Sequence, residues 1–275
     1  MKIPRIPDWS LYAAIVLALA LFARHEKEHS DAPRAPPPAP VTDVPPVGAP
    51  ALKPSALRPF SGARKPTGTA FSISDGGVWL TARHVLDGCR QAAIMVAPGK
   101  GVRAEIRADR RSDVAVLTTQ GGAAPLPLAF GMPLNKGERG YHPGFPRGGP
   151  GEAASRLLGR AVLRDKARGA RSQHVLAWAE VGRTDGLRGS LAGLDGAPVL
   201  DQTGRVVGVT LAESPRRGRI YSTPPEAMRT ALQMAHAAPS GFAQGQGIST
   251  DNYGRASDGL RRDVRVAQVV CLRRT

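Results

Sequence analysis

Cysteine is nearly absent from this chain. Only Cys89 and Cys271 occur in 275 residues, which allows one intrachain disulfide at most and excludes a cysteine-built zinc cluster. Aromatic residues make up 5% of the sequence and are not interleaved with the arginines as base-stacking surfaces require, so nucleic-acid binding is not expected. No Gly-X-Y period runs through the 32 Gly and 25 Pro, which excludes a collagen, and no sustained heptads appear, which excludes a coiled coil. There is no internal repeat, and a single apolar run excludes a polytopic membrane protein. Acidic residues are scarce as well: 22 Asp and Glu face 38 Lys and Arg, a net charge of +16. That surplus implies attraction to anionic partners, weakening as salt rises. With 41% apolar residues the chain still has material for a sizeable core.

What is present begins with a targeting segment over residues 1–30. Lys2 and Arg5 precede an apolar run from Leu11 to Ala23, fronted by Trp9 and Tyr12 and followed by Arg24 to Lys27. Thirteen residues suit the apolar stretch of a signal peptide better than a full span. The run continues past the small-residue stretch Ala18-Leu19-Ala20, and its aromatic pair suits an interface, so a retained signal anchor is the reading favoured over a cleaved peptide. Either way the remainder is exported. The Ala, Arg and Pro richness suggests a bacterial source, so the expectation is one pass through the inner membrane with the folded part in the periplasm. His25-Glu26-Lys27-Glu28-His29 matches the zinc pattern H-E-x-x-H but abuts this run and leads into prolines, so it reads as a solvated charge run, and no metal or organic cofactor is expected.

Residues 31–66, with Pro36-Pro37-Pro38 and Pro45-Pro46, favour extended polyproline-like backbone and read as a semi-rigid spacer. Folded sequence starts near Thr67. Thr69 to Ser74 alternates, Asp75-Gly76-Gly77 is a hairpin turn, and Val78-Trp79-Leu80-Thr81 resumes the pattern. Further strands are predicted at Gln91 to Val96, Val102 to Ile106, Val114 to Thr118, Arg156 to Leu163, Val175 to Glu180, Val206 to Leu211 and Arg219 to Thr223. Helical pattern is confined to Pro225 to Ala237 and Thr250 to Arg262, which makes the fold class all-β, sandwich or barrel.

Three motifs then occur in order. Thr81-Ala82-Arg83-His84-Val85 ends a strand, Ser112-Asp113-Val114-Ala115-Val116-Leu117 opens one, and Gly193-Leu194-Asp195-Gly196-Ala197-Pro198 leads to a third, at spacings of 29 and 82 residues from His84 to Asp113 to Asp195. With Gly140-Tyr141-His142-Pro143-Gly144-Phe145-Pro146 resembling a Gly/Pro loop between them, the set resembles the trypsin/chymotrypsin-like serine peptidases, particularly the bacterial trypsin-like and HtrA-like branch. The resemblance spans residues 67–228 and implies two antiparallel β-barrels with a peptide-binding cleft between them. It leaves 229–275 as a small α/β C-terminal extension, with no segment of the length of a PDZ domain.

The resemblance implies His84 as general base, Asp113 as the group that orients it, and an oxyanion hole from the amides of Gly193 and Asp195. It implies a specificity pocket at Gly189 and Thr210, Leu211 and Ala212; glycine at 189 offers no acidic anchor for Arg or Lys. The departure is at the nucleophile, where Ser is expected and Asp195 stands. A carboxylate has no proton for His84 to remove and repels the charge an oxyanion hole must hold, so proteolysis by the familiar route is expected to be impaired. Two other readings stay open: an active serine endopeptidase with a surrogate nucleophile, for which Ser190 is the candidate, and a basic scaffold for anionic envelope polymers. In an exported chain Cys89 and Cys271 are expected to pair and pin the tail to the first barrel, two buried thiols being the alternative.

Overall fold

The computed structural model describes residues 57–59, 66–108, 112–131, 133–165, 171–241 and 243–272. The expected N-terminal anchor, the zinc-like motif and most of the spacer lie outside these residues. Among the described residues no helix is long and apolar enough to cross a membrane.

The first half of the chain supplies β1 (Leu57–Pro59), β2 (Pro66–Ser74), β3 (Val78–Ala82), β4 (Gln91–Ala97), β5 (Lys100–Ala108) and β6 (Val114–Thr118). After a long excursion come β7 (Arg139–Gly144), β8 (Gly151–Asp165), β9 (Arg171–Arg183), β10 (Pro198–Leu200), β11 (Val206–Ser214) and β12 (Arg219–Ser222). Two helices, α1 (Pro225–Met234) and α2 (Tyr253–Arg262), precede a last strand, β13 (Val266–Leu272). Strands β7 to β12 close into a six-stranded antiparallel barrel in the order β10-β11-β12-β9-β8-β7. The other sheet runs β5-β4-β13-β2-β3-β6 and is closed by β5 pairing with β6, with short β1 added to the free part of β5.

The fold is therefore two all-β barrels with few helices, and the reason is visible in the strands. Val and Ile recur where both strand neighbours are present, as in Val114, Val116, Val206, Val207 and Val209, because branched side chains pack well on a pleated surface. The first barrel packs Phe71, Trp79, Leu80, Ile94 and Leu117, all fully buried, and the second packs Trp178, Leu157, Leu191, Leu194 and Ile220. Each such large apolar side chain contributes roughly 1.5–3 kcal/mol on burial.

Two regions differ from the sequence expectation. Of the Gly/Pro loop expected at residues 140–146, residues 140–144 belong to β7, which pairs with β8 from Arg139–Arg156 to Gly144–Gly151. Pairing on both sides overrides the low strand propensity of Gly and Pro. The tail, expected as an appended extension, supplies an internal stave: β13 lies between β2 and β4, pairing Val266 with Phe71 and Val270 with Ala93. Val266 and Val269 are fully buried there, so the first barrel closes only through a strand that begins at Val266, far beyond Thr118 where β6, the last of its other members, ends.

Helix α2 ties the same tail to the other barrel. Its apolar positions Tyr253, Ala256 and Leu260 recur at helical spacing and are buried, and Tyr253 stacks on Tyr141 of β7 with ring centroids 5.9 Å apart. Arg261 Nη2 donates to Glu152 Oε2 at 2.7 Å, with Glu152 almost wholly buried, and Arg261 Nη1 donates to the Gly151 carbonyl at 2.9 Å. Burial pushes the Glu152 carboxyl above its usual range against the pull of Arg261.

Candidate active site

His84 owes its position to the end of β3. The strand stops at Ala82, a short 3-10 turn takes over at Arg83–Leu86, and Ala82 pairs with Val114 of β6. That register sets Asp113, one residue before β6, beside the turn, where its carbonyl accepts from the Arg83 amide at 2.8 Å. His84 Nδ1 lies 3.2 Å from Asp113 Oδ2. Arg83 Nη2 lies 3.6 Å from the other oxygen of the same carboxylate.

Asp195 comes from the second barrel, in the loop before β10, and is pressed against the first. Its carbonyl accepts from the Thr69 amide at 2.9 Å, and the neighbouring Gly196 amide donates to the Thr210 carbonyl at 2.8 Å. Gly196 has φ +87°, and a Cβ there would lie 2.1 Å from the Thr69 carbonyl oxygen, so only glycine admits this approach of loop to barrel. The result places Asp195 Oδ2 3.6 Å from His84 Nε2. The imidazole thus has a carboxylate at each ring nitrogen, in a nearly buried setting. Burial by itself lowers a histidine pKa; the hydrogen bonds and charges of Asp113 and Asp195 outweigh it and raise His84 from 6.5 to about 9.

The loop around Gly193 is equally constrained. Gly193 has φ +99°, and a Cβ would lie 2.6 Å from the Phe145 carbonyl oxygen. Its own carbonyl accepts from Thr69 Oγ1 at 2.8 Å, while the Ala192 carbonyl accepts from the Arg147 amide. Among the described residues the amides of Gly193 and Asp195 donate to no protein acceptor.

The residues expected around a specificity pocket are divided. Gly189, at φ +77°, has open space around it, and its carbonyl accepts from Arg183 Nη1 at 2.7 Å. Thr210 instead turns into the second barrel, where its hydroxyl lies 3.0 Å from Nδ1 of the fully buried His142, and Leu211 is buried too. Of the three wall residues only Ala212 keeps partial exposure. Ser190 donates to Glu213 Oε1, which also accepts from the Leu191 amide at 2.7 Å; His84 is not among the partners of Ser190. Thr69 and Arg147 were not legible as site residues, because each acts through a fold-dependent contact and belongs to no motif. Cys89 and Cys271 form a disulfide. No group of three potential metal ligands occurs among the described residues.

A family model for the trypsin-like peptidase domain matches residues 68–209. No curated protein matches the chain. Among solved structures, the Rv3671c protease of M. tuberculosis in its active form is 22% identical, with a TM-score of 0.52 over 66% of this chain and 76% of that one. The inactive form of Rv3671c protease gives 22% identity and a TM-score of 0.50, covering 60% of this chain and 82% of that chain. The HtrA-type protease AlgW with a decapeptide is 20% identical at a TM-score of 0.50, covering 62% of this chain and 52% of that one. At these identities the likeness is one of fold.

Proposed function

The chain belongs to the trypsin-like peptidase family, and from that premise we propose that it is an exported, membrane-anchored member with impaired catalysis, holding peptide or protein segments in the cleft. One observation carries the reading: His84 lies between Asp113 Oδ2 at 3.2 Å and Asp195 Oδ2 at 3.6 Å, where a serine hydroxyl would be needed.

In peptide hydrolysis a hydroxyl attacks the scissile carbonyl carbon, its proton passes to His84 Nε2, and the carbonyl electrons move to an oxygen held by the two amides. The amine then leaves with the proton from His84, and water repeats the sequence on the ester. Asp195 interrupts this at the first step, since its oxygen carries no proton and its charge stands beside the electron-rich oxygen. A histidine raised to about 9 is moreover already protonated near neutrality and cannot serve as base. Loss of the nucleophile from a triad costs several orders of magnitude in turnover. The surrogate route through Ser190 is weakened by its bond to Glu213.

Export and anchoring rest on the apolar run from Leu11 to Ala23 and the spacer behind it. The test is hydrolysis of a peptide mixture by the native chain, Asp195→Ser and Asp195→Ser/His84→Ala, with peptide binding to the native chain measured alongside. The expected result is a silent native chain that binds peptide, activity in Asp195→Ser, and loss of that activity without His84. Cleavage by the native chain that depends on His84 would overturn the reading.

A further inference from the structure

The outer wall of the second barrel carries a row of cations outside the ion pairs found among the described residues. Arg139 of β7 pairs directly with Arg156 of β8, Arg156 with Ala179 of β9, and Ala179 with Arg219 of β12. Residues paired across antiparallel strands project from the same face, so three arginines share one row, with a small alanine between the last two. The β11–β12 turn adds exposed Arg216 and Arg217 beside it, Gly218 accepting from the Glu180 amide at 2.9 Å. None of the five forms an ion pair among the described residues.

Like charges placed directly opposite one another destabilise a sheet, and beside Arg139 and Arg156 stand only the Tyr141 hydroxyl and Asp251, neither in an ion pair with them. A second, independent feature coincides with the row. Among the described residues the exposed large apolar side chains are three, Leu158, Val162 and Val181, at 40%, 52% and 49% exposure, and all three lie on β8 and β9. Val181 is the extra residue of a bulge on β9 between Glu180 and Gly182, and Leu158 the extra residue of a bulge on β8 beside buried Leu157, and both stand exposed on the strands that carry the row. Val162, paired with His174, falls on the opposite face, but Leu158 and Val181 flank the row on its own strands, and exposed apolar groups beside a cationic row mark an interaction surface.

From this geometry we infer that the outer face of the second barrel docks on an anionic bilayer surface. The arginines are complementary to lipid phosphates, and Leu158 and Val181 have somewhere to go in the acyl boundary that a hydrated polyanion does not offer. The inference rests on the anchoring proposed above: the apolar run Leu11 to Ala23, through the Pro-rich spacer behind it, keeps the folded domain tethered to the same membrane. The cleft, built from His84, Asp113 and Asp195, makes no use of this face.

The test uses the full chain carrying Val181→Cys with an environment-sensitive dye, the native disulfide intact, in nanodiscs of phosphatidylcholine alone or mixed with phosphatidylglycerol. The expected result is a blue shift of the dye only with phosphatidylglycerol, reversed by high salt and abolished by Arg156→Glu/Arg219→Glu. A dye at Glu105→Cys on the first barrel should not respond, and circular dichroism of the double variant should match the parent. An equal response in both lipids, a response that survives Arg156→Glu/Arg219→Glu, or no response at all overturns the inference. So does an equal shift with heparin in the absence of lipid, which would assign the face to soluble polyanions.

Discussion

Asp195 Oδ2 and His84 Nε2 stand 3.6 Å apart, on the side of the ring away from Asp113. Two carboxylates on one imidazole stabilise its charged form beyond what either does alone. In ring-resolved NMR titration His84 should change protonation at about 9, well above the ordinary value of 6.5. Asp195→Ala leaves the Asp113 contact and should lower the midpoint by about one unit or more. An unchanged midpoint in that variant would remove Asp195 from the account of the site.

The stability of the fold should peak near the pKa of an unfolded histidine. His84 titrates at about 9 in the folded chain against 6.5 unfolded, so its contribution is complete below 6.5 and lost as pH rises through 9. At about 1.4 kcal/mol per unit this is at most about 3 kcal/mol. His142 has the opposite sign: burial lowers it to about 3, so its contribution is complete above 6.5 and is lost as pH falls below that. Its Nε2 lies 2.7 Å from Ser155 Oγ and its Nδ1 3.0 Å from Thr210 Oγ1, an arrangement suited to a neutral ring. Urea unfolding across pH should show slopes of opposite sign on either side of 6.5. Asp195→Ala should flatten the alkaline side, and His142→Leu the acid side.

The sequence was readable where chemistry coincided with local pattern. The strand before His84 and the strand after Asp113 alternate or run apolar, and they fall at β3 and β6 within a residue or two. Helices α1 and α2 announced themselves by Pro225 at the first turn and by the spacing of Tyr253, Ala256 and Leu260. Illegible were the features made by distant pairing. Nothing local in Val266 to Leu272 says that it will enter between β2 and β4, and nothing in Glu152 says that its counter-charge is Arg261. The contact of the Thr210 hydroxyl with buried His142 is of the same kind, known only from the fold.

Arg261 and Glu152 are 8% and 1% exposed, and their contact joins α2 to the second barrel. Removing the cation leaves a buried carboxylate whose remaining side-chain partner is the neutral Thr184 hydroxyl, at 2.9 Å. Arg261→Met should cost about 3–5 kcal/mol in urea unfolding at neutral pH. Part of that loss should return in acid, since a carboxyl raised by burial favours the folded state when protonated. Glu152→Gln/Arg261→Met, which strands no charge, should be markedly more stable than the single variant. A double-mutant cycle with no coupling would mean that the contact holds nothing together.

The stave β13 makes the first barrel depend on the end of the chain, and the disulfide from Cys271 to Cys89 holds it next to β4 over a separation of 182 residues. Closing so long a loop restricts the unfolded chain far more than the folded one, so Cys271→Ser should lower stability by about 2–5 kcal/mol. Reduction of the native chain should have the same effect, and reduction of the variant none. Hydrogen exchange locates the loss. Once the link is gone, amides of β13 and of its neighbours β2 and β4 should open ahead of the second barrel, because the stave is then held without a covalent link, by ladder bonds and by buried Val266, Ala267, Val269 and Val270. If all strands lose protection together, the two barrels unfold as one unit, and the joint made by Arg261 and Tyr253 couples them more strongly than β13 couples the chain end to the first barrel.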